Sequence, residues 1–185
     1  MSPFLRRAAL ACLLVLALLA GHLLQLRATG NFHVLVAGEA YRSAQPSGDA
    51  LRDWTARRGL RSVVNLRGAH AGEAWYDEEV AAARALGLAH VDFAMSSGAV
   101  LGVARAAELM ALLRAVPKPV LIHCKAGSDR TGLASALYLL DHGEGEARAE
   151  RQISFRFGHV SLPLTAAWPI DQSWDALEDW LGLVS

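Results

Sequence analysis

Residues 8–26 read AALACLLVLALLAGHLLQL, an apolar run with no charge, in which His22 and Gln25 are the strongly polar members. As a helix, a run of this length crosses a hydrocarbon core about 30 Å thick. It lacks the polar face of a helix packed on a soluble core. After Thr29, Gly30 and Asn31 the pattern changes to alternating and helical periods, which divides the chain into a membrane anchor over residues 1–30 and a folded domain over residues 31–185. In the domain, 33–37 and 40–43 read as short strands around Gly38, and Pro46 and Ser47 open a helix that carries Leu51 and Trp54 and stops at Gly59. Residues 61–66 (RSVVNL) form a strand, 73–86 a helix closed by Gly87, and 88–93 another strand. A helix over 103–116 shares Leu109, Leu112 and Leu113 on one side and is broken by Pro117 and Pro119, and a short buried strand follows at 120–123. Further helices are expected at 131–140, 146–155 and 173–183. This alternation predicts an α/β fold with a mostly parallel central sheet flanked by helices on both faces, preceded by one N-terminal transmembrane helix.

Composition narrows the function. A chain of 185 residues that is 53% hydrophobic can bury one full core. Eighteen basic and eighteen acidic side chains cancel, which removes the electrostatic case for a nucleic-acid partner. Cys12 and Cys124 are the chain's two cysteines and lie in segments too different to pair, so Cys124 is a lone thiol in the domain. Arg6 and Arg7 precede the apolar run, as in signal peptides and signal anchors alike. Cleavage requires small residues at the third and first positions before the cut, but Ala20 follows Leu18 and Leu19, and Ala28 follows Leu26 and Arg27. The helix therefore reads as a retained anchor in a bacterial-type inner membrane, with the positive flank inside and the domain in the periplasm. Arg27 on the far side works against that orientation.

The chemistry lies in Val120-Leu-Ile-His-Cys-Lys-Ala-Gly-Ser-Asp-Arg-Thr-Gly132, where a buried strand passes through a tight loop into a helix. A helix N-terminus offers unpaired N–H groups and a positive dipole end to an anion. Gly127 lets the loop curl so that successive amides point inward. Cys124 stands at the head of this loop, a position that favours the nucleophilic thiolate. Arg130 closes the loop with a planar guanidinium that can hold two phosphoryl oxygens at once.

HCKAGSDRTG, residues 123–132, resembles the active-site signature of the protein-tyrosine and dual-specificity phosphatases: His-Cys, five residues, then Arg-Ser/Thr. The resemblance implies a cysteine-phosphatase-like fold in which Cys124 attacks phosphorus to form a cysteinyl-phosphate and Arg130 binds substrate and transition state. It further implies that the amides of Lys125, Ala126, Gly127, Ser128, Asp129 and Arg130 hold the equatorial oxygens, that Thr131 hydrogen-bonds the sulfur, and that His123 braces the loop. Tyr41-Arg-Ser-Ala-Gln-Pro46 and Val64-Asn-Leu-Arg67 resemble segments of small bacterial and fungal phosphatases of the dual-specificity type. Read as residues alone, Tyr41 and Asn65 equally fill a turn and a strand end, and Arg42 and Arg67 face either the pocket or solvent.

The leaving oxygen needs a proton, and two aspartates are candidates for donating it. Asp92 lies before the long helix that precedes the loop, at about the distance that dual-specificity members use. Asp129, inside the loop, resembles the aspartate of myotubularin-like and some bacterial lipid or tyrosine phosphatases, and is preferred. No metal or other cofactor is expected: Glu73, Asp77, Glu78 and Glu79 read as a solvated helix face, and His90, His142 and His159 lack ligand spacing. Trp168, Trp174 and Trp180 read as packing of the C-terminal segment.

The expected function is metal-independent hydrolysis of a phosphomonoester, phosphotyrosine or another protein phosphoester. One alternative is a phosphoinositide phosphatase, which Lys125 and a membrane anchor favour. Ser128 weakens it, because such enzymes tend to carry a second basic residue there. Another is a catalytically weak, membrane-tethered phospho-ligand module, against which the intact Cys124, Arg130 and Thr131 speak. An arsenate reductase or sulfur transferase lacks a second soluble thiol here. The partners expected are thus a phosphorylated protein or phosphoinositide and the membrane.

Overall fold

In the computed structural model, which describes residues 2–183, the strands are β1 (His33–Val36), β2 (Ala40–Ser43), β3 (Ser62–Asn65), β4 (Ala89–Asp92) and β5 (Val120–His123). They form one five-stranded sheet in the order β1-β2-β5-β3-β4. Only the edge pair β1–β2 is antiparallel; β2, β5, β3 and β4 run parallel. The helices are α1 (Pro3–Ala28), α2 (Gly48–Arg58), α3 (Ala74–Ala85), α4 (Val103–Ala115), α5 (Asp129–Asp141), α6 (Glu146–Glu150) and α7 (Trp168–Leu181), with a 3₁₀ turn at Phe155–Phe157.

Strand periodicity assigns the faces. Tyr41, Leu121 and Val63 stand in register across β2, β5 and β3 and pack with Leu51 of α2 and Ala83 of α3. Their neighbours Ala40, Val120, Ile122 and Val64 point to the other side, where α4, α5 and α7 contribute Leu109, Leu113, Leu137 and Leu177. β5 is buried along its whole length at the centre of the sheet, as expected of a parallel strand covered on both faces. The expected α/β architecture is therefore present, with one N-terminal helix long and apolar enough to cross a membrane.

Two helices depart from expectation. The helix expected over 146–155 ends at Glu150, because the backbone beyond it is taken up elsewhere: Arg42 Nη1 donates to the Gln152 carbonyl at 2.9 Å, and Gly132 of α5 packs so close that a Cβ there would lie 2.8 Å from that same oxygen. α7 begins five residues earlier than the expected 173, with Pro169 at its second position, where proline costs no hydrogen bond. Its Trp174 is buried as expected, whereas Trp180 is 43% exposed.

Candidate active site

Cys124 directly follows the central strand β5, whose His123 is in register with Ser43 of β2 and Asn65 of β3. Its side chain is buried, and Sγ accepts a hydrogen bond from the Gly127 N–H at 3.3 Å. Gly127 has a φ of +73°, and a Cβ there would meet the Ala44 backbone nitrogen at 2.6 Å. Both conditions require glycine. The N–H groups of Lys125, Ala126, Ser128, Asp129 and Arg130 find no backbone acceptor among the described residues. Together with the first turn of α5 they form a concentrated set of donors for an anion.

The loop is held from behind. Arg42 is fully buried, donates from Nη2 to the Gly127 carbonyl at 2.7 Å and from Nη1 to Gln152 Oε1 at 2.9 Å, and stacks on Phe157 at 3.8 Å. Of the two placements that the sequence leaves open, Arg42 takes neither: it is a strut beneath the loop. Burial pulls its pKa down to about 9, so it stays a cation at neutral pH. Asn31 adds a second tie, donating from Nδ2 to the carbonyls of Ala126 at 3.0 Å and Phe157 at 2.9 Å.

On the open side, Arg130 reaches from the first turn of α5 and donates to the Met95 carbonyl at 3.4 Å. Arg67 lies beside it, with its pKa lowered by burial and then by the like charge of Arg130, and donates to Gln45 Oε1 at 2.8 Å. Lys125 and Ala126 are exposed at the rim. Thr131 is buried and its Oγ1 has no hydrogen-bond partner, so the observed donor to the sulfur is the Gly127 amide.

Glu79 corrects the reading of α3 as a solvated acidic face. It is 1% exposed and shares its helix side with buried Ala83. Its Oε1 lies 3.1 Å from His123 Nε2 and 2.7 Å from His90 Nε2, and Oε2 accepts from Gln45. Burial pushes its pKa up, but the hydrogen bonds to His123 and His90 outweigh this and bring it down to about 2. An anionic Glu79 thus anchors the histidine that precedes Cys124.

The two aspartates have different surroundings. Asp92 ends β4 and accepts from Asn65 Nδ2 at 2.8 Å on one oxygen and from Tyr76 O–H at 2.6 Å on the other. β3 separates its strand from β5, which sets it about 10 Å from the β5 row. Asn65 also donates to the Gly68 carbonyl and accepts from the Arg67 N–H, so it braces a turn, while Tyr41 stacks on Phe32 beneath α2. Asp129 opens α5 where the loop ends, half-buried, with Oδ1 2.8 Å from Nδ1 of His159. The other ring nitrogen of His159 lies 3.0 Å from Asp171 Oδ2 on α7. The His159 side chain is fully buried between the two carboxylates. Burial lowers its pKa, but the hydrogen bond to Asp129 and the pull of both carboxylates raise it on balance. No spacing in the sequence announces this line, because its members come from three separate elements. Among the described residues, no group of three or more acidic, histidine or cysteine side chains is arranged to hold a metal ion.

A buried cysteine in a loop of unpaired amides, closed by an arginine at a helix N-terminus on a parallel sheet, defines a cysteine-based phosphatase. The chain belongs to the tyrosine phosphatase family, whose family model matches residues 26–147. The fold is also that of solved phosphatases. P. aeruginosa TpbA, solved in complex with pTyr, is similar at a TM-score of 0.58 and 21% identity, over 82% of this chain and 88% of that one. The core catalytic domain of the PP-IP phosphatase SIW14 from S. cerevisiae gives 0.59 and 22% over the same shares. No curated protein sequence matches.

Proposed function

We propose that this phosphatase hydrolyses phosphomonoesters in two steps through a phosphoryl group carried on Cys124, without a metal. In the first step, Sγ attacks phosphorus, the bond from phosphorus to the ester oxygen breaks, and the leaving oxygen takes a proton. In the second, water attacks phosphorus and the thiolate leaves, giving inorganic phosphate. The observation that carries this reading is the convergence of Sγ, the five unpaired amides and Arg130 on one small loop. Those donors supply the charge stabilisation that a metal otherwise provides.

Asp129 is the better-placed proton donor, with His159 behind it to supply the proton. Asp92, with both oxygens accepting hydrogen bonds and a strand between it and β5, braces Asn65 and Tyr76 instead. A protein phosphoester, phosphotyrosine first, is the substrate class that the family membership and the pTyr complex of TpbA favour. α1 serves as a membrane anchor.

Leaving-group dependence in excess chelator tests the assignment. Asp129→Asn should slow phenyl phosphate hydrolysis by about 100-fold and nitrophenyl phosphate far less, since a good leaving group needs little protonation. Asp92→Asn should affect both substrates alike. The reverse pattern would make Asp92 the acid, and activity that requires an added divalent ion would end the metal-free mechanism.

A further inference from the structure

α1 does not stand clear of the domain. Two of its residues past the midpoint, His22 and Leu26, are partly covered while their neighbours Leu23, Leu24 and Gln25 stay exposed. The pair is spaced i, i+4, so it forms one contact face. His22 Nε2 lies 3.0 Å from the Phe155 carbonyl, the His22 and Phe155 rings are 5.1 Å apart, and a Cβ on Gly158 would lie 3.3 Å from Leu26 Cδ1.

Helix geometry turns this contact into a depth. His22 precedes Leu26, the end of the uncharged run, by four residues, or about 6 Å along the axis. If α1 spans a bilayer, the segment that touches His22 therefore reaches about 6 Å inside the edge of the hydrocarbon. That segment is unusually apolar on its outside: Phe155 is 41% exposed, Val160 40%, Leu162 56% and Leu164 100%. Arg151 is exposed just before it and Arg156 within it, where they can pair with lipid phosphates.

We infer that residues 155–164 form a second membrane contact, an interfacial loop whose apolar side chains enter the bilayer that α1 crosses, next to α1 itself. The inference rests on the anchor reading of α1. The occupant is the boundary between headgroups and acyl chains, an environment that suits exposed leucines and neighbouring arginines alike. A cleft of about 500 Å³ separates Leu23, Leu26 and Arg27 of α1 from Lys125, Ala126 and Ser128 of the phosphate loop. With the loop docked, that cleft and the exposed rim residue Lys125 lie on the membrane-facing side of the domain.

The test uses the full chain in nanodiscs of phosphatidylcholine and phosphatidylglycerol, in a Cys12→Ser background, with single cysteines placed by Leu164→Cys, Val15→Cys or Ala115→Cys. Ala115 is exposed at the end of α4, near the start of β5 and so at the opposite end of the strands from the phosphate loop. Alkylation by a water-soluble maleimide is followed by peptide mapping, which separates the new thiol from Cys124. Only a hydrated thiolate reacts, so Leu164→Cys and Val15→Cys should label at least about 10-fold more slowly than Ala115→Cys. If Val15→Cys is protected but Leu164→Cys labels as fast as Ala115→Cys, the loop lies in water and the inference fails while the anchor stands. If Val15→Cys labels as fast as Ala115→Cys, α1 does not span and both readings fall.

Discussion

His159, buried between two carboxylates, ties a prediction about the pH behaviour of the site to a single side chain. Its ring sits between Asp129 and Asp171, and on balance these carboxylates hold its pKa above the ordinary histidine value of 6.5. If His159 and Asp129 deliver the proton as one unit, that unit must be protonated to act. The alkaline limb of kcat/KM on phenyl phosphate should then lie above pH 6.5 in the parent enzyme. His159→Asn, which keeps a hydrogen-bonding side chain but cannot hold the proton, should move that limb to lower pH and reduce the rate by about 10- to 100-fold. A purely structural His159 would lower activity without moving the limb. The same shift makes a stability statement: a raised folded-state pKa stabilises fully below 6.5, and the gain is lost as pH rises through the folded value. Thermal melts between pH 6 and 9 should lose this component in His159→Asn.

At the scale of elements, the strand, loop and helix from β5 into α5 act as one unit, and Gly127 is where it is most tightly constrained. Gly127→Ala meets both a left-handed backbone and the Ala44 nitrogen at 2.6 Å. We expect a loss of about 1–3 kcal/mol from backbone strain alone, read by urea denaturation, with a larger fractional loss in kcat/KM because the amides no longer converge. Unchanged turnover would mean that the loop does not need this curl. This unit was legible in the sequence because its signals are local: a buried apolar run, a glycine, and a helix following at once. The supports behind it were not. Arg42 reaches Gly127 across 85 residues and Gln152 across 110, and its burial looks the same in sequence as solvent exposure. Glu79 illustrates the same limit, since an acidic run on α3 reads as surface until the sheet brings His123 and His90 to one of its members. The short α6 has a comparable cause, because propensity over 146–155 favours helix while Arg42 and Gly132 claim the Gln152 carbonyl.

For the whole molecule, the parallel sheet places the end of its central strand at the phosphate loop, and α1 meets the domain through His22 against Phe155, Leu26 beside Gly158 and the cleft beside Lys125. The helix at the N-terminus was readable from hydropathy, but its contact with Phe155 was not, since nothing in either segment specifies the other. The proposed hydrolysis depends on one covalent event at Cys124. It is tested most directly by mixing the full chain with phenyl phosphate in excess chelator, quenching in acid within the first turnover, and mapping peptides by mass. A phosphoryl group is expected on the Cys124 peptide of the parent enzyme and absent from Cys124→Ser, which should bind tungstate but not turn over. Continued turnover by Cys124→Ser, or steady hydrolysis with no phosphoryl group ever found on Cys124, would contradict the mechanism.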